Sequence, residues 1–87
     1  MHKDYNKIAN EMSILLKEVR TGAPDAMKGF SQLAQGALKP GVLDTKTKEL
    51  IALAIGVAVR CDDCIAFHTK AAIEQGATKD EILERYL

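Results

Sequence analysis

Asp44-Thr45-Lys46-Thr47-Lys48-Glu49-Leu50-Ile51-Ala52-Leu53-Ala54-Ile55-Gly56-Val57-Ala58-Val59 is the stretch on which the fold turns. From Leu50 it is apolar without interruption, so periodicity alone does not separate a buried helix from a buried strand. The β-branched residues Ile51, Ile55, Val57 and Val59 suit a strand. The alanines, the length of the run and Asp44, an N-cap residue at its start, favour a helix over residues 44–59. A helix that is apolar on every face is buried all round. A chain of 87 residues has little protein with which to surround it, so cover from a partner subunit is expected. Gly56, flanked by Ala52, Ala54 and Ala58, is where another backbone could approach closely.

Working outward, the pattern stays helical. Ile8, Met12, Leu15, Leu16 and Val19 form an apolar stripe over residues 4–20. Thr21-Gly22-Ala23-Pro24 ends that helix, and Pro24 suits the first turn of the next, where its missing N–H costs nothing. Met27, Phe30, Leu33, Ala34 and Ala37 give the second helix its stripe. Gly29 inside it costs about 1 kcal/mol relative to alanine, which close packing would justify. Lys39-Pro40-Gly41 is a break. Beyond residue 59, a fourth helix runs from Cys61 to Gly76, a good C′ residue. Thr78-Lys79-Asp80-Glu81 matches a capping box that opens a fifth helix carrying Ile82, Leu83, Tyr86 and Leu87. No internal repeat, linker or strand-and-turn pattern is visible. The expected fold is all-α: a single small helical domain of about five helices over residues 1–87.

Twelve basic and 12 acidic residues balance to a net charge of zero, and no basic run stands out, which gives nucleic-acid binding no electrostatic support. The longest apolar run, residues 50–59, is too short to span a bilayer. Met1-His2-Lys3-Asp4 leads straight into a polar segment with no secretory pattern, so a cytoplasmic protein is expected. His2 is read as inert, Met12 and Met27 as core, and the charges of residues 79–85 as a solvated face.

The chemistry is concentrated in Arg60-Cys61-Asp62-Asp63-Cys64-Ile65-Ala66-Phe67-His68. These are the only two cysteines, and in a reducing compartment such a pair is catalytic or metal-binding more often than structural. At the start of a helix they share its first turn, with His68 one turn above Cys64. The helix dipole and an imidazolium both favour thiolate, the reactive form.

Glu49 followed by Cys61-x-x-Cys64-x-x-x-His68 resembles the alkylhydroperoxidase-D-like branch of the carboxymuconolactone decarboxylase family. The context from Leu43 to Ala54, from Ile65 to Ala72 and from Gln75 to Ile82 carries the resemblance further. It implies an all-helical subunit assembled into a homo-oligomer, a trimer or hexamer. It also implies a redox pair that reduces hydroperoxides or exchanges disulfides, with no cofactor and no resident metal. By position, Cys61 and Cys64 would be that pair, His68 the proton relay and Glu49 its acidic partner. Family members of the decarboxylase kind generally lack the cysteines, so lactone decarboxylation is not expected. A dithiol or lipoyl-bearing protein is the implied reductant.

Each role has a physical basis. A thiolate attacks the peroxide bond and becomes a sulfenic acid, and the second thiol condenses with it to a disulfide. A histidine shuttles protons at neutral pH, and its proximity favours Cys64 as the attacking thiol. Glu49, among apolar neighbours, needs a partner that the thiols and His68 would supply; the bland alternative is a solvated charge beside Lys46 and Lys48. Cys61, Cys64, His68 and Glu49 could alternatively hold zinc, although three of the four come from one helix. A non-catalytic oligomeric helical module is the remaining alternative.

The sequence departs from the family pattern in two places. Where some members carry a histidine before the second cysteine, this chain has Asp63, so a second ring relay is not expected. Asp62 and Asp63 raise the cost of a thiolate beside them, with Arg60 placed to offset them. The expected activity is therefore a modest peroxidase or a dithiol exchange with another acceptor. Members commonly continue into a further helix beyond the point where this chain stops, so a truncated C-terminal helix is the other expectation.

Overall fold

The computed structural model describes residues 3–84. It is built from α1 (Tyr5–Gly22), α2 (Pro24–Leu38), α3 (Thr45–Ala58), α4 (Asp62–Glu74) and α5 (Lys79–Glu84), with no strand among the described residues. The 44–59 stretch thus resolves as helix over Thr45–Ala58, with Asp44 as its N-cap and Val59 as its C-cap. His2, Tyr86 and Leu87 lie outside the described residues.

Local chemistry sets the ends. Asp4 accepts a hydrogen bond from the Lys7 N–H at 3.0 Å and Asp44 from the Thr47 N–H at 2.7 Å, caps worth about 1 kcal/mol each. The capping box is present as read: the Glu81 N–H donates to Thr78 Oγ1 at 3.0 Å, and the Thr78 N–H donates to Glu81 Oε1 at 2.9 Å. Pro24 stands at the first turn of α2, and a single residue, Ala23, separates α1 from α2. Helix α1 therefore continues through Thr21 and Gly22, two residues past the expected end, because the steric conflict acts only on the residue before proline. At the end of α4 the Gly76 N–H bonds the Ile73 carbonyl and the Ala77 N–H bonds the Ala72 carbonyl, both at 2.9 Å. That Schellman closure needs a left-handed residue, and Gly76 takes it with φ of 90°.

Helix α4 packs against both α3 and α1, α2 lies along α1 and touches α3, and α5 is tied to α3 by a Lys46–Glu81 ion pair at 2.9 Å. The core sits between α3, α4 and α1, with Ala9, Leu53, Ala66 and Ala72 buried. Burial of α3 on every face is not achieved within one chain. Glu49, Leu53 and Gly56 are buried on one side, while Ile55 on the other is 58% exposed and Ile51 and Val59 are exposed with it. The stripe of α1 also differs from expectation. Leu15 and Val19 are exposed and the small Ala9 is buried, because α4 approaches the Ala9 side of the helix. Gly29 faces open space, so close packing does not explain it.

Candidate functional site

The α3–α4 connection is a tight turn that delivers the first cysteine. The Arg60 N–H bonds the Val57 carbonyl at 3.1 Å and the Cys61 N–H bonds the Gly56 carbonyl at 2.9 Å, a second Schellman closure. Its left-handed position is filled by Arg60, with φ of 57°, at a cost of about 1 kcal/mol for a residue with a Cβ. Cys61 is at once the last residue of this turn and the N-cap of α4: its sulfur accepts the Cys64 N–H at 3.2 Å. The two cysteines are joined as a disulfide across a Cα–Cα distance of 5.2 Å.

His68, one turn beyond Cys64, meets the buried face of α3. Its Nδ1 lies 2.7 Å from Glu49 Oε2. Glu49 is only 4% exposed. In the tautomer that carries its hydrogen on Nδ1, the ring donates to the carboxylate and Nε2 is left as its basic nitrogen. The hydrogen bond also answers the burial of Glu49, which would otherwise be an unpartnered polar group inside the protein. The reading of Glu49 as a solvated charge is thereby set aside.

Cys61, Cys64, His68 and Glu49 all line one cavity of about 510 Å³. Its remaining walls are mostly apolar: Met12 and Leu16 from α1, Phe30, Ala34 and Leu38 from α2, and Phe67 and Ala71 from α4. Asp63 stands at its polar side. Met12, read as core, is thus a wall residue. Asp62 is paired by Lys3 at 2.7 Å, where the sequence had suggested Arg60. That ion pair holds the Lys3 ammonium above its ordinary pKa, chiefly through the hydrogen bond to Asp62. No local pattern reveals a contact between residues 59 positions apart. Among the described residues no cluster of three or more His, Cys, Asp and Glu side chains is arranged to hold a metal ion, and the sulfurs are bonded to each other, so zinc has no thiolate donors in this form.

The profile of the carboxymuconolactone decarboxylase family matches residues 24–86, most of the chain, a span that contains Glu49, Cys61, Cys64 and His68. The chain belongs to the carboxymuconolactone decarboxylase family. A family protein from Legionella pneumophila has the same fold, with a TM-score of 0.89 and 44% identity over 93% of this chain and 72% of that one. A second, from Thermotoga maritima, described with a possible part in an antioxidative response, aligns with a TM-score of 0.74 and 36% identity, covering 92% of this chain and 68% of that one. An uncharacterised protein of Cupriavidus necator is 41% identical over 61 residues, 70% of this chain. The chain spans from 54% to 65% of the lengths of the curated relatives it matches. No described helix is long and apolar enough to cross a membrane.

Proposed function

We propose that this member of the family is a thiol-dependent oxidoreductase that reduces hydroperoxides, or exchanges disulfides, through Cys61 and Cys64. The observation that carries the reading is one cavity wall bearing a Cys61–Cys64 disulfide together with a His68–Glu49 hydrogen bond. In the reduced enzyme the imidazole takes the proton of one thiol, and the resulting thiolate attacks the outer peroxide oxygen. The O–O bond breaks, the thiolate becomes a sulfenic acid, and the departing alkoxide takes a proton from the imidazole. The second thiol displaces hydroxide from the sulfenic sulfur, which leaves as water, and the disulfide forms. The dithiol has lost two hydrogens and the peroxide has become an alcohol and water. Glu49 holds the ring and stabilises the imidazolium between these proton transfers. The apolar walls favour an organic hydroperoxide whose tail displaces water from them. A dithiol or lipoyl-bearing protein in the cytoplasm would restore the thiols by exchange.

A homo-oligomer, a trimer or hexamer, completes the reading. The chain exposes 6608 Å². A compact monomer of this mass exposes about 5,000 Å². The excess includes the apolar ridge Ile51, Ile55 and Val59 of α3, which a second copy would cover.

The test is to mix the reduced protein with one equivalent of an organic hydroperoxide and weigh it. Loss of two hydrogens with consumption of the peroxide is expected. Persistent free thiols and intact peroxide would end the proposal.

A further inference from the structure

We propose that Gly56 is a positioning residue for the redox pair, holding Cys61 through its carbonyl and admitting Cys64 through its missing side chain; the assignment rests on the redox reading of that pair. Gly56 is buried on the same face of α3 as Glu49 and Leu53, two turns beyond Glu49. Its carbonyl accepts the Cys61 N–H at 2.9 Å. A Cβ built on it would stand 3.0 Å from Cys64 Cβ, 3.4 Å from the Ile65 nitrogen and 3.5 Å from the Cys64 carbonyl carbon. The contact with Cys64 Cβ is the tight one, and that atom is fixed directly to the backbone of the first turn of α4, so it cannot swing aside; the other two atoms are at ordinary packing distance. A methyl group here must shift that turn from α3 by a few tenths of an ångström.

The consequence differs for the two cysteines. Cys61 is bonded on both sides: its N–H to the Gly56 carbonyl of α3 at 2.9 Å and, as N-cap of α4, its carbonyl to the Ile65 N–H at 2.9 Å, whereas Cys64 lies within α4. Shifting Cys64 Cβ while the Cys61 N–H stays anchored at Gly56 changes the geometry between the two cysteines and disfavours the closed disulfide ring relative to the dithiol, whose sulfurs need not touch. One face of α3 thus serves both ends of the site: Glu49 orients the ring and Gly56 seats the sulfurs.

The experiment equilibrates the wild type, Gly56→Ala and Gly29→Ala with mixtures of reduced and oxidised dithiothreitol and counts free thiols by alkylation and mass. Gly56→Ala is expected to move the equilibrium toward the dithiol by at least about tenfold, equivalent to about 30 mV in potential. Gly29→Ala places its Cβ in open space and is expected to leave the equilibrium unchanged. A general loss of stability acts on both redox forms alike, so the equilibrium isolates positioning. An equilibrium constant for Gly56→Ala within twofold of wild type overturns the assignment. If Gly56→Ala fails to fold, Gly56→Ala with Cys64→Gly removes the nearest clashing atom. Recovered helicity supports the seat, and a chain that stays unfolded rejects it. No peroxide enters these measurements, so a failed peroxidase assay and a failed Gly56 prediction are separate results.

Discussion

The α3–α4 pair and the α1–α2 pair are both helical hairpins with short links, yet they bury very different surfaces. Helices α3 and α4 meet through small residues and a complementary polar contact: Gly56 against Cys64, Glu49 against His68, with Leu53, Ala66 and Ala72 buried alongside. Helices α1 and α2 bury only Ala9 and Met27, and leave Ile14, Leu15, Val19 and Leu33 exposed. Close backbone approach makes the first pair a stiff frame, and the groups proposed to react are mounted there. The second pair supplies an apolar wall to the cavity and an outer face on which something else can pack. Under the proposed function, precise geometry is needed where bonds form and break, and much less where a substrate tail would be sheltered.

The sharpest way to break this contrast is to remove the chemistry from the frame. Cys64→Ser is expected to lower the rate of peroxide consumption by roughly a thousandfold or more, as when a nucleophile that acts with partners is deleted. Retained turnover in a peroxide-consumption assay would move the chemistry elsewhere. Next in size is the relay. Glu49→Gln keeps the shape but loses the charge, and is expected to slow turnover by about a hundredfold. His68→Ala leaves the Glu49 carboxylate buried without its partner, at a cost of about 1–3 kcal/mol that a urea midpoint would register.

Packing comes third. Leu53 is 0% exposed, and Leu53→Ala is expected to cost about 2–5 kcal/mol. Leu33 in α2 is 71% exposed, and Leu33→Ala is expected to change monomer stability by no more than about 0.5 kcal/mol. Equal costs in urea denaturation would erase the distinction between the two hairpins.

The smallest expected effect is acid sensitivity at the helix starts. Thr47, bonded to Asp44, holds that carboxyl below its ordinary pKa. Lys46 and then Thr78 do the same for Glu81. A depressed folded-state pKa confers stability above the ordinary carboxylate range, which is lost as the pH falls through the depressed value. Amide-exchange protection at Thr47 and Glu81 should therefore decline on acidification. Helix α2 starts without a side-chain cap and should show no such decline at its start.

Much of this was legible in the sequence because it depends on neighbours along the chain. The breaks at Pro24, at Lys39-Pro40-Gly41 and at Gly76 follow from backbone sterics, and the caps at Asp44 and Thr78 follow from unsatisfied amides of the first turn. The spacing of Cys61, Cys64 and His68 was equally readable, since a single helix turn sets it. Glu49 could be suspected from its apolar neighbours, but its pairing with His68 depends on how α3 lies on α4. Gly56 was read as a place of close approach; that the backbone arriving there is α4 of the same chain, at Cys64, was not contained in the local pattern. Lys3 gave no signal at all.

By itself, then, the order of residues determined that this chain is helical, where its helices start and stop, and which side chains are chemically capable. Those properties arise from torsions and hydrogen bonds between residues a few positions apart. The tertiary structure alone decided that Glu49 reaches His68, that Gly56 makes room for Cys64, and that α1 and α2 wall a cavity over the sulfurs. Such contacts depend on how whole helices pack, and that depends on the volumes of side chains far apart in the chain.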